Sequence, residues 1–216
     1  MAEQTELHYA GHTWRPLLAE YLPDVVAALD CPEITAFMCF DGVTSVCWAV
    51  NRRWQSDLAA NSATLVIHDP TGAIIGWAGL IAKNGRLETS TYLCPRVWGA
   101  GLNVAAKHLQ WAICDLLDHP QMYLHVASDN ARSQAAVWKL FPRGLVRSLP
   151  ELDEPDLGVL IEVDAPPCVP GALSESETTE LEAILVRLPA DRAWRAAAGR
   201  FTPTRRPARS GRSVAR

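Results

Sequence analysis

A chain of 216 residues, 49% hydrophobic and 20% charged, can bury a core large enough for one compact domain with an appendage. No apolar run approaches the ~18 residues that span a membrane, and the opening Met1-Ala2-Glu3-Gln4-Thr5-Glu6 lacks the basic and apolar regions of a signal peptide, so a cytoplasmic protein is expected. The formal charge of −4 divides unevenly: residues 1–164 hold 11 Lys and Arg against 19 Asp and Glu, or −8, while residues 165–216 hold 9 against 5, or +4.

Thr13 to Leu17 has strand composition, and Pro23 to Leu29 reads as a helix with proline in its first turn. A longer helix is expected over Ser45 to Leu58, because Val46, Val50 and Trp54 recur at four-residue spacing; Arg52, Arg53 and Asp57 then fall mainly towards water. Thr64 to Ile67 and Ala73 to Leu80 are strands joined through the turn formers Asp69-Pro70-Thr71-Gly72. Leu87 to Leu93 is the next strand, ended by Cys94-Pro95. Met122 to Ala127, a helix over Ser133 to Leu140 and a strand near Val159 to Val163 complete an α/β (α+β) fold with a mixed sheet.

Between the Leu93 strand and the helix that follows lies Arg96-Val97-Trp98-Gly99-Ala100-Gly101-Leu102. Two glycines let a backbone approach an anion, and the first turn of a helix offers unpaired N–H groups and partial positive charge, so this segment suits a phosphate. Leu102, Ala105, Ala106, Leu109, Ala112, Ile113, Leu116 and Leu117 mark the apolar face of the helix, and Asn103, Lys107, Gln110 and Asp118 fall largely on the other side. The dinucleotide fingerprint fails because Val104 stands where a third glycine belongs, and no Walker Gly-Lys-Ser/Thr is present. By itself a glycine pair is a weak signal, and a tight turn with no ligand is the lesser reading of it.

Six cysteines, at 31, 39, 47, 94, 114 and 168, form no C-x-x-C pair, so neither a zinc site nor a redox motif is indicated. Pro166, Pro167 and Pro170 mark a boundary after residue 164. Within an extension over residues 165–199, Ser174 is placed to cap a helix through Glu182, Ile184 and Leu188, and Ala190 to Ala198 suits a second short one. Residues 200–216 carry six arginines and no acid and read as a mobile tail, either a solvated terminus or one that meets RNA phosphates.

The stretch Glu88-Thr-Ser-Thr-Tyr-Leu-Cys-Pro-Arg-Val-Trp-Gly-Ala-Gly-Leu102, followed by Asn130-Ala-Arg-Ser133, resembles the GNAT family of N-acetyltransferases, in the branch that modifies ribosomal-protein amino termini and small amines. Trp14-Arg15-Pro16-Leu17, Cys31-Pro32-Glu33-Ile34 and Ile74-Ile75-Gly76-Trp77-Ala78-Gly79-Leu80 are similar to the same branch, so the resemblance covers roughly residues 13 to 164. It implies a domain over residues 1–164 with helices on both faces of a mixed sheet, and a cleft where the strands ending at Leu93 and Ala127 splay apart. Acetyl-CoA would be the acyl donor, with no metal: its pantetheine arm along main chain at Leu93, and its diphosphate on the segment Val97, Trp98, Gly99, Ala100, Gly101 and Leu102, with Arg96 at the mouth. Asn130 and Ser133 would orient it from the far side; as residue types they also suit a turn and a helix cap.

The resemblance makes Glu88 the candidate base for a primary-amine acceptor, with a solvated strand end as the other account of that residue. His68 and His125 sit in apolar strands and are expected to be structural. Two positions depart from the family pattern. Val137 stands where many relatives carry a tyrosine that protonates the leaving thiolate, and Trp138-Lys139-Leu140-Phe141 lacks the usual glycine at the helix end. The resemblance leaves open a homodimer, a CoA-binding regulatory protein without turnover, and an acyltransferase directed to nucleic acid by the basic tail.

Overall fold

The computed structural model describes residues 6–36, 46–58, 62–83, 86–119, 121–141, 146–149, 159–164 and 173–187. Two short strands, β1 (Leu7–Tyr9) and β2 (His12–Pro16), form a hairpin around Ala10 and Gly11, whose φ values of 53° and 75° are those of a two-residue turn that matches strand twist. Three residues carry too little pattern for β1 to be anticipated. The hairpin closes on Trp14, which is fully buried and donates its indole N–H to the Tyr9 carbonyl at 3.0 Å.

A single turn of tight helix at Ala19–Tyr21 leads into α1 (Leu22–Leu29), then α2 (Pro32–Thr35) and α3 (Val46–Leu58). Strands β3 (Ser62–His68) and β4 (Ile74–Lys83) follow, joined by a turn in which Asp69 Oδ1 accepts from the main chain of Thr71 and Ala73. Next come β5 (Arg86–Leu93), α4 (Leu102–Leu116), β6 (Met122–Val126), α5 (Ala131–Leu140), β7 (Val146–Ser148), β8 (Val159–Val163) and α6 (Glu175–Arg187). Like β1, the three-residue β7 was not expected. Among the described residues eight strands lie in one mixed sheet in the order β1-β2-β3-β4-β5-β6-β8-β7, and of their junctions only β5/β6 is parallel.

Helices cover both faces, as the family pattern implied. One core joins Val25, Leu29, Val46 and Val50 of α1 and α3 to Val66 and Trp77 of the sheet. The larger core lies on the other face, under α4, α5 and α6, and includes Leu65, Leu80, Leu109, Ile113, Val137 and Leu140. Ser174 and Glu177 cap α6 reciprocally: the Glu177 amide donates to Ser174 Oγ, and the carboxylate accepts from the Ser174 amide. Leu181 and Ile184 of that helix are fully buried in the larger core. Leu188, the short helix expected over Ala190 to Ala198, and the tail of residues 200–216 lie outside the described residues.

Two expectations from helical periodicity are overturned. Arg53 and Asp57 of α3, expected towards water, are each 5% exposed, and only Arg52 points outward. On α4 the side chain of Lys107 is 6% exposed and that of Gln110 is fully buried, though both were assigned to the polar side. The reason is the same in each case: these side chains turn in against polar groups of the sheet, Asp57 against Ser62 and Thr64 of β3, and Lys107 and Gln110 against β4 and β5. α4 packs on β4 and β5 and is also contacted by α6, so Ala105 to Trp111 are buried all round.

Candidate active site

Between β5 and β6 the sheet opens. The pairing consists of two rungs, Glu88 with Tyr123 and Thr89 with Leu124. Beyond them each strand keeps its outer partner, β5 with β4 as far as Leu93 opposite Gly76, and β6 with β8 as far as Val126 opposite Val159. Residues 89 to 93 are accordingly half-buried although they lie mid-sheet. The Cys94 amide donates to the Ile75 carbonyl at 2.9 Å, which fixes the alternation of the ladder. By that alternation the main-chain groups of Thr91 and Leu93 face the gap.

The loop after β5 forms as its sequence indicates. Pro95 starts a single tight turn over Pro95–Val97, and Gly99 and Gly101 both take the left-handed conformation, with φ of 84° and 83°. Gly101 is the residue that precedes α4, and no side chain caps the helix. The Trp98 and Ala100 amides are spent within the turn, on Pro95 and Val97 carbonyls. The amides of Gly99, Gly101, Leu102 and Asn103 find no acceptor among the described residues. Free amides at a helix start beside an opening in the sheet suit a diphosphate, and the residues present fit that group.

Other expected contacts are differently engaged. Arg96 reaches back to β4, donating to Asp69 Oδ2 at 3.4 Å and the Ile74 carbonyl at 3.3 Å. The Leu93 carbonyl accepts the Trp98 indole N–H at 2.8 Å, so one main-chain group of the strand end is taken by the protein itself. Across the mouth, the Arg132 guanidinium lies 3.4 Å over the Trp98 ring. Asn130 does cap α5, accepting from the Ser133 amide at 3.0 Å, while the Ser133 hydroxyl has no partner among the described residues. Val137 is buried in the core, and α5 closes where Phe141 turns extended and drops into the same core.

Glu88 is no solvated strand end: it is 6% exposed, on the last-but-one strand position paired to β6, with Arg86 Nη2 3.6 Å from Oε1. His68 is buried, with Nδ1 3.2 Å from the Gly72 carbonyl, its ring edge-on to Tyr21 and Nε2 without a partner among the described residues. His125 is half-buried on β6 with Nε2 unpaired.

Two polar clusters, one on each face of the sheet, were missed by sequence reasoning. On the α4 side, Lys107 Nζ donates to Thr89 Oγ1 (3.2 Å), Thr91 Oγ1 (3.1 Å) and Gln110 Oε1 (2.9 Å). Gln110 Nε2 in turn shares its two hydrogens among the Gly79 and Ser90 carbonyls and Thr91 Oγ1. Burial pulls the Lys107 pKa down to about 7. On the α3 side, Asp57 Oδ1 accepts from Ser62 and Thr64, while Asp57 Oδ2 and both terminal nitrogens of Arg53 lack hydrogen bonds. Burial raises the Asp57 pKa, against the lowering effects of Arg53, Ser62 and Thr64, and also drives the Tyr92 phenol up to about 12. Among the described residues no group of three or more His, Cys, Asp or Glu is set to hold a metal, and no helix is long and apolar enough to cross a membrane.

Solved structures share this architecture. An acetyltransferase from Agrobacterium tumefaciens superposes with a TM-score of 0.60 at 19% identity, over 76% of this chain and 97% of its own. The Vibrio cholerae spermidine N-acetyltransferase in complex with CoA and spermine gives 0.54 at 16%, over 71% and 95%. A Vibrio cholerae protein described as a ribosomal-protein-serine acetyltransferase gives 0.57 at 12%, over 76% and 100%. No curated protein matches the chain. The model of the acetyltransferase (GNAT) domain matches residues 13–140, more than half of the sequence, and the chain therefore belongs to the GNAT acetyltransferase family.

Proposed function

We propose that this protein transfers an acetyl group from acetyl-CoA to a primary amine by direct attack on the thioester. The observation that carries the reading is the row of unpartnered amides at Gly99, Gly101, Leu102 and Asn103, set at the end of a strand that has just lost its neighbour. A diphosphate on those amides leaves the pantetheine arm in the β5/β6 gap, where the main chain of Thr91 faces it, and brings the thioester towards the rungs at Thr89 and Glu88. Holding amine and thioester together supplies much of the rate, and main-chain donors at the gap can polarise the carbonyl as its oxygen gains charge.

Amines are protonated near neutrality, so a group must accept a proton before or during attack. Glu88 is the proposed base. The acceptor is read as a protein amino terminus or a small amine, in keeping with the −8 charge of residues 1–164, which favours a cation, and with the spermine held by the Vibrio cholerae relative. Residues 1–164 form the acetyltransferase unit in this reading, 165–199 an extension and 200–216 a basic tail.

Calorimetry with CoA, followed by thiol detection after mixing acetyl-CoA with a panel of amines and peptides, tests the proposal. Thiol release that depends on an acceptor supports it; tight CoA binding without release favours a regulatory CoA-binding protein, and no binding ends both readings. Glu88→Gln should slow transfer ~100-fold near neutral pH, within the range of general-base catalysis, with CoA affinity unchanged. An unaltered rate would remove Glu88 from the role.

A further inference from the structure

Lys107 has three hydrogen-bond acceptors around its nitrogen and no carboxylate in ion-pair contact among the described residues. Three acceptors match the three donors of an ammonium. The cluster sits at the point where β5 and β6 part: Thr89 is the last paired residue, and Thr91 is on the same face two residues into the gap. Thr91 Oγ1 accepts from Lys107 and lies 3.1 Å from Gln110 Nε2, and neither an ammonium nor an amide nitrogen can accept from it. Its own O–H is left to donate elsewhere, and it has no acceptor among the described residues. Lys107 is buried, and the Thr91 hydroxyl bonded to it belongs to a half-buried residue of the strand that borders the gap.

On the Lys107 face the buried titratable groups are Tyr9 of β1 and Cys114 of α4, and burial raises the pKa of each, so both are neutral; the charged groups of β5 and β8 lie elsewhere. Glu88 and Arg86 alternate to the opposite side of β5, and Glu162 of β8 is bonded there to Tyr123. Asp115 is exposed two turns further along α4, and α6 buries Leu181 and Ile184 in this core. A lysine held only by neutral groups, with a hydroxyl bonded to it and an acyl donor in the gap, can store and release a proton.

We propose that Lys107 supplies the proton taken by the departing sulfur of the acyl donor, passing it through the hydroxyl of Thr91. The inference rests on the acetyl-transfer reading above. As the amine nitrogen bonds to the carbonyl carbon, the C–S bond breaks with its electron pair on sulfur. Sulfur takes the Thr91 hydroxyl proton, and Thr91 takes one from the Lys107 ammonium. The proton lost by the attacking amine, through Glu88 or solvent, restores the ammonium, so none is gained or lost overall.

The test uses the full chain with acetyl-CoA and whichever amine of the panel it acetylates, with kcat and KM measured from pH 6 to pH 9.5. Lys107→Met should lower kcat at least tenfold at pH 6.5 and change the KM for acetyl-CoA less than twofold. At pH 9.5, where the native lysine is itself neutral, the two enzymes should differ less than twofold. Thr91→Val should behave as Lys107→Met does, and Thr91→Ser should restore the native profile; the threonine pair decides the matter even if the lysine variant does not fold. A constant ratio at every pH, a loss confined to KM, or a native rate in Thr91→Val overturns the inference while acetyl transfer stands. A native chain that releases no thiol with any acceptor defeats the acetyl-transfer reading, and the lysine's role with it.

Discussion

On opposite faces of the sheet two helices each bury a cation, and the two are stabilised in opposite ways. Lys107 has every donor bonded and no countercharge, whereas Arg53 has a carboxylate of α3 beside it and neither terminal nitrogen bonded. Burial lowers the pKa of both cations, but the guanidinium stays charged while an amine held near 7 can discard its proton. A lysine in such a place is able to change state during a reaction, and an arginine needs its acid permanently.

The largest effect should therefore come from Asp57. Replacing it with Ala removes the acceptor of Ser62 and Thr64 and leaves Arg53 as an uncompensated buried charge, a loss of about 3–5 kcal/mol in urea unfolding. Asp57→Asn keeps an oxygen for the two hydroxyls and isolates the contribution of charge, so it should fall between Ala and the native protein. If Ala costs under ~1 kcal/mol, the arginine does not depend on its acid, and the contrast with Lys107 collapses.

Lys107→Met should act in the other direction on stability. In the unfolded chain the lysine holds its proton up to about 10.5, in the folded one up to about 7, so between these values unfolding takes up a proton and folding becomes more favourable as pH rises. Below pH 7 both states are charged, and the folded protein bears the full cost of burial. The methionine variant should be more stable by about 1–4 kcal/mol at pH 6, with the gain shrinking towards pH 10. A pH-independent difference would show that the amine is not desolvated as its surroundings indicate.

Neither cluster was legible in the sequence, although most of the framework was. The strands around Asp69–Gly72, the glycine loop and the helix after it carry their signals within a few neighbouring residues. Arg53, Asp57, Lys107 and Gln110 were assigned to water because a helical wheel shows only which stripe is apolar. It does not show that hydroxyls and carbonyls of β3, β4 and β5 lie beneath those positions to receive them. The splay itself was named only through family resemblance, since nothing in the composition of Thr89 to Leu93 says that its parallel partner stops after two rungs. Glu88 was placed on the right strand, but its burial beside Arg86 depends on the β5/β6 pairing and could not be read locally.

The smallest effect expected belongs to the loop, the part of the site the sequence made plainest. A Cβ added at Gly99 or Gly101 meets nothing within 4 Å, so alanine there costs only the left-handed backbone, about 1–2 kcal/mol. Unlike the helix interiors that hold Arg53 and Lys107, this loop is exposed at Gly99 to Gly101 and can turn out of the strained conformation without disturbing a core. Gly99→Ala should then leave the melting temperature within ~2 °C of native, because the folded state relaxes instead of unfolding. The relaxed loop no longer aims its amides together, and CoA affinity should fall by roughly 5- to 30-fold, the same 1–2 kcal/mol appearing in binding. Gly99→Asn, which tolerates positive φ better, should recover part of that loss. A lower melting temperature with native affinity would mean that the glycines serve only the turn, and the diphosphate would have to be sought elsewhere.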